Sequence, residues 1–255
     1  MSFLETPGFI LLVLLLFAFI PPIAFLIWTR NSERYAREPW LLVFKVFLWG
    51  AVFAVIIAIL IESILVSVYG EVVPVYVALG NDPTIQSLFL ALIIAPFVEE
   101  GAKALGIYTA SYAINEVQDG IVYGAASGFG FSATENLFYG FGAFLAMDPR
   151  SAIVLIVLRS ISSTLLHASA TSVTGLGVGK HLTFGGKYRV APYYLLAVAM
   201  HSSFNLLASL GELYQNRLGD LAGVIGVMAA CIFAIVAFGL VRGRIHRAEG
   251  PATAW

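Results

Sequence analysis

The chain has 255 residues, of which 60% are hydrophobic and only 11% charged, with a net charge of −1. A soluble domain is typically about a quarter charged, so this composition excludes a water-soluble globule and points to a multi-pass membrane protein. The near-neutral balance gives nucleic acid no electrostatic footing, and the single cysteine, Cys231, cannot form an internal disulfide.

About 20 mostly apolar residues cross a bilayer as a helix, and seven stretches qualify. They are roughly 9–28, 40–67, 85–108, 120–147, 151–178, 191–210 and 221–241. The first follows "MSFLETPG", which lacks the positive charge of a cleavable signal, so it reads as a retained helix. Pro21-Pro22 should kink it, because proline removes a backbone donor. Lys45 and Glu62 lie toward the ends of the second stretch and read as interfacial.

The third stretch carries Glu99, Glu100 and Lys103 in "FVEEGAKALG". The fourth, "DGIVYGAASGFGFSATEN", carries Glu135, and its Gly120, Gly124 and Gly128 repeat every four residues. Such a face lets another helix backbone pack closely. The fifth holds Arg159 and His167, and the sixth holds His201 and Asn205. The seventh is apolar around Cys231. With no repeats and no soluble segment, residues 1–255 read as one integral-membrane domain with a functional core at about 85–210.

The loops set an orientation. Arg30, Arg34 and Arg37 follow the first stretch, Lys180, Lys187 and Arg189 the fifth, and Arg242, Arg244 and Arg247 the seventh. Glu71, Asp82, Asp148, Arg150, Glu212, Arg217 and Asp220 occupy the alternate loops. The positive-inside rule then predicts an all-α bundle with its N-terminus outside and its C-terminus in the cytoplasm.

Four consecutive helices thus put ionisable groups deep in the hydrocarbon layer: at ~1.5 Å per residue, His201 lies roughly 15 Å into its span. A central charge costs at least about 2.5–3.5 kcal/mol, so these groups are expected to face the bundle interior and meet. The spacing agrees. Glu99 and Lys103 are i,i+4, Glu100 and Lys103 i,i+3, and His167–Thr171 and His201–Asn205 i,i+4. Arg159 can offset the excess of carboxylates over Lys103, or snorkel to the outer surface.

Buried carboxylates and neutral imidazoles can activate water, and a histidine with an amide can stabilise a developing oxyanion. Peptide hydrolysis needs both. GxSxG and HExxH are absent. Histidine and carboxylate also suit zinc, although the spacings match no recognised ligand motif, so the cofactor stays open with zinc as the candidate. A proton- or ion-coupled transporter would also need buried carboxylates, but its usual internal repeats are not visible. A non-catalytic scaffold is the other alternative.

These residues resemble a family. "EEGAK" is similar to the EExxK motif of PrsW-type intramembrane proteases, "FSATE" to their FxxxE motif, and "HSSFN" to the HxxxN element of the superfamily shared with type II CAAX prenyl proteases. A γ-secretase scaffold subunit is a distant relative of that superfamily. The resemblance runs from about Pro96 to Asn205. It implies a glutamate-dependent endopeptidase of the cell membrane. Glu99 or Glu100 would be the base, Lys103 its structural partner, and His201 with Asn205 the oxyanion donors. Glu135 stands where the prenyl-protease branch has histidine, which turns the expectation away from a prenyl-protein substrate. His167 is the candidate for the missing imidazole. The implied partner is a single-span or membrane-anchored protein, such as an anti-sigma factor.

Overall fold

The computed structural model describes residues 6–33, 37–71, 83–146 and 148–248, and all regular structure among them is helical. Helix α1 is Pro7–Arg30; α2, Trp40–Leu48, runs through a π-helical stretch, Trp49–Ala54, into α3, Val55–Glu71. Helix α4, Pro83–Phe89, runs through a second π-helical stretch, Leu90–Ile94, into α5, Ala95–Tyr108. Then come α6, Val117–Ala146, α7, Pro149–Thr183, α8, Ala191–Ala208, α9, Leu210–Leu218, and α10, Asp220–Ala248. Arg34, Asp82, Met147 and the side chains of Glu71 and Arg247 lie outside the described residues.

Local chemistry explains the ends. Asp148 caps α7 by accepting from the backbone N–H groups of Arg150 and Ser151, and Pro149 supplies a first position that needs no donor. Pro21-Pro22 does not end α1, which continues to Arg30. The π-helical stretch Leu90–Ile94 puts backbone carbonyls out of register, and side chains from α8 take them up: Asn205 Nδ2 donates to the Ala91 carbonyl at 2.8 Å and Ser202 Oγ to that of Leu92 at 2.7 Å.

Among the described residues, five helices are long and apolar enough to cross a membrane: Pro7–Arg30, Trp40–Tyr69, Pro149–Thr183, Ala191–Leu218 and Asp220–His246. Their outer faces expose Leu12, Leu41, Phe53, Ile232 and Leu240, a surface suited to lipid. The two other expected spans contain α5 and α6, which carry the carboxylate motifs. They too expose apolar side chains at their ends, such as Phe97 and Leu105 on α5 and Phe138 and Leu145 on α6, but the middle of α6 is enclosed. Every residue from 118 to 133 on α6 is buried, so protein rather than lipid surrounds it.

Close approach of α6 to α7 builds the centre. A Cβ on Gly124 would stand 2.6 Å from the Thr171 carbonyl oxygen, and Cβ atoms on Gly120 and Gly128 would come closer still to Gly175 and His167. The expected small-residue face therefore sets the distance between Glu135 on α6 and His167 on α7.

Candidate active site

Helix α5 is held by its own carbonyls. Tyr194 Oη donates to the Phe97 carbonyl at 2.7 Å, Trp49 Nε1 to that of Ala102 at 3.1 Å, and Ser127 Oγ to that of Lys103 at 2.8 Å. Three neighbouring elements thereby fix the rotation of the helix that presents Glu99, Glu100 and Lys103. All three side chains are buried, Glu100 and Lys103 completely.

The two adjacent glutamates have different surroundings. Glu100 is fully engaged: Lys103 Nζ lies 2.7 Å from Oε1, His201 Nδ1 lies 3.1 Å from the same oxygen, and Thr171 Oγ1 donates to Oε2 at 2.9 Å. Glu99 is loosely held. Its Oε2 stands 3.4 Å from Lys103 Nζ, 3.8 Å from His201 Nε2 and 4.0 Å from His167 Nδ1. It also lines a cavity of about 480 Å³ together with Glu62, Glu135, Arg159, His167 and Asn205.

Glu135 completes the set from α6. Its Oε2 pairs with Arg159 Nη2 at 2.8 Å and with His167 Nε2 at 2.9 Å. Arg159 is fixed in turn by Asn136 Oδ1 at 3.1 Å and by the Tyr139 ring, 3.7 Å from its guanidinium carbon. The Lys103 ammonium sits 2.8 Å from His167 Nδ1 and 4.4 Å from the centre of the Phe131 ring. The two imidazoles meet edge to face, 4.8 Å apart.

Hydrogen-bond logic assigns the tautomers. Lysine only donates, so His167 Nδ1 accepts, and its Nε2–H points to Glu135. Glu100 only accepts, so neutral His201 donates through Nδ1, and its Nε2 turns a lone pair toward Glu99. Each imidazole thus has one ring nitrogen committed to a carboxylate.

The structure joins Glu99, Glu100, Lys103, Glu135, Arg159, His167 and His201 in one network. Asn205 lines the cavity but spends one N–H on α4–α5, at Ala91. Glu62, which the sequence marks as interfacial, lines the same cavity, and its Oε1 is buried with no hydrogen-bond partner. A lone acid in an apolar helix carries no periodicity that could have placed it. Thr171 was legible, because it shares the i,i+4 stripe of His167.

One oxygen of Glu99 and one nitrogen each from His167 and His201 lie within 4.8 Å of one another. Two imidazoles and a carboxylate form a donor set that catalytic zinc accepts. A carboxylate on the other ring nitrogen of each histidine is the usual outer support for such ligands. The set therefore fits a divalent metal. Lys103 stands against it in one respect, because its ammonium already engages the His167 lone pair.

Comparison with known proteins follows this geometry. A family model described as PrsW family intramembrane metalloprotease matches residues 38–238. Protease PrsW of Clostridioides difficile (strain 630) is 30% identical over 206 residues, which cover 76% of this chain and 78% of that protein. No solved structure matches the chain.

Proposed function

The chain belongs to the PrsW family of intramembrane proteases, and from that premise we propose that Glu99 is the base of an endopeptidase that cuts a membrane-anchored protein with activated water. The observation that carries the reading is the contrast within the adjacent pair. Glu99 faces the cavity with its oxygens loosely held, whereas Glu100 is saturated and out of reach. A general base must be free to take a proton; a saturated carboxylate orients its neighbours.

Glu99 takes a proton from water as the oxygen attacks the scissile carbonyl, and that proton passes to the leaving amine as the C–N bond breaks. Asn205 has a second N–H to offer the oxyanion, since its amide carries two and one is spent on Ala91. If Glu99 relays the water's proton to His201 Nε2, 3.8 Å away, before it reaches the amine, that nitrogen becomes a second donor while the oxyanion stands. Glu135 and Arg159 orient His167 and place a fixed positive charge on the cavity wall. If a divalent metal is held, Glu99, His167 and His201 would be its ligands. It would supply a more acidic bound water and a polarised carbonyl. Glu100 and Glu135 would then keep the two imidazoles oriented.

The family and the lipid-facing helices make this a multi-pass membrane protein. We place seven spans in one domain covering residues 1–255, with the catalytic core at about 85–210. The basic residues after the first, fifth and seventh spans favour a cytoplasmic C-terminus. A C-terminal tag should then resist external protease in spheroplasts, and its digestion would refute the orientation. The proposed substrate class is a single-span protein such as an anti-sigma factor.

The test of function is cleavage of single-span substrates by the purified protein in liposomes. Cleavage within or next to the span is expected, and absence of cleavage across a panel of such substrates would overturn the reading. Chelator followed by zinc decides the cofactor. Loss and recovery would assign water activation to a metal; unchanged cleavage would assign it to Glu99 with the histidines.

A further inference from the structure

A second buried polar cluster lies far from this cavity. Glu33 and Glu38 sit in the segment between α1 and α2, and Asp119 in the first turn of α6. Asp119 and Glu135 lie about 24 Å apart along α6 at 1.5 Å per residue. The three acids are only 1%, 5% and 3% exposed. One carboxylate oxygen from each lies within 4.8 Å of the other two.

The cluster is built, with three carboxylates against the charge of Arg30, which acts on Glu33 and Glu38. Asp119 Oδ2 is fixed by the backbone N–H groups of Asn115 and Glu116, both at 2.8 Å. Glu33 Oε2 accepts from the Glu38 N–H at 2.9 Å, and Tyr123 Oη donates to Glu38 Oε2. Arg30 and Arg37, in the same part of the chain, spend their Nε groups on carbonyls. Arg30 donates to the Glu38 carbonyl at 2.9 Å and Arg37 to that of Glu33 at 2.7 Å. Glu33 Oε1 is left buried with no hydrogen-bond partner at all. An orphaned carboxylate oxygen beside two further buried carboxylates is costly unless something positive completes the set. Burial, with the neighbouring carboxylates adding to it, pushes Glu33 up to about 8.

We propose that Glu33, Glu38 and Asp119 form a site for one hard divalent cation, calcium in preference to magnesium. All donors are oxygens, which suits calcium or magnesium rather than zinc. Calcium accepts irregular, carboxylate-rich cages, whereas magnesium demands a near-ideal octahedron and keeps several waters, so a buried set of three carboxylates favours calcium. The site ties the α1–α2 segment to the start of α6, so the cation clamps one end of the helix that carries Glu135. It does not depend on the protease reading.

The full-length protein in detergent, freed of metal with chelator, would be titrated with calcium alone. One calcium per chain is expected, and at a hundredfold excess over Kd the unfolding midpoint should rise by roughly 5–10 °C. Glu33→Gln keeps an oxygen for the Glu38 N–H and should fold, yet lose calcium affinity at least tenfold; Asp119→Asn should do the same. His201→Ala, in the catalytic network, should leave calcium binding unchanged. Absence of saturable binding, or binding unaltered in both carboxylate variants, would overturn the site. A midpoint shift of equal size with magnesium would overturn the preference for calcium. A calcium-insensitive protein whose midpoint rises on Glu33→Gln would identify a proton-sharing acid cluster instead.

Discussion

Glu99→Gln is expected to lower turnover per folded molecule by about 10²–10⁴, while the folded fraction and thermal midpoint stay near those of the parent. The substitution keeps the shape and removes the basic oxygen. Stability should hold because Glu99 is not the principal partner of Lys103, which lies 2.7 Å from Glu100 and 3.4 Å from Glu99. Glu100→Gln should behave differently. It weakens the ion pair that neutralises a fully buried ammonium and loosens the anchor of His201 Nδ1. Stability and activity should therefore fall together. Rates must be divided by folded protein, counted by size exclusion in parallel. Near-normal turnover per folded Glu99→Gln molecule would remove Glu99 as the base, and the reverse pattern between the two variants would exchange their roles.

Much of this centre is legible in the sequence. The cost of burying a charge in hydrocarbon requires Glu99, Glu100, Glu135, His167 and His201 to face inward, and helical spacing requires Lys103 to reach both adjacent glutamates. The glycine period on "DGIVYGAASG" implies a close partner helix, and that partner proves to be the His167 helix. What could not be read is which of two adjacent glutamates meets the cavity. They differ by 100° around a helix whose rotation is set by Tyr194, Trp49 and Ser127, donors from three distant elements. The place of Glu62 on the cavity wall is not legible, because it depends on which helices pack beside α3. Glu33, Glu38 and Asp119 escaped because their meeting joins segments about 80 residues apart, and no local pattern records it.

Lys103→Met is expected to produce the largest loss of stability in the chain. It leaves Glu99 and Glu100 buried with no ammonium, and an uncompensated buried charge typically costs about 3–5 kcal/mol. The double variant Lys103→Met/Glu100→Gln removes the charge and its principal partner together, and should recover most of that loss. A double-mutant cycle on unfolding midpoints would read the coupling directly, with roughly 2 kcal/mol or more expected for groups in contact. Additive effects would mean that Glu100 is not the partner that matters. Lys103→Met also frees the His167 Nδ1 lone pair, which the ammonium now engages at 2.8 Å. If Glu99, His167 and His201 hold a metal, the variant should bind zinc more tightly than the parent, measured by competition with a chromophoric chelator. Weaker or unchanged zinc affinity would mean that the ammonium does not compete for that nitrogen, and His167 would then be an orienting residue rather than a ligand.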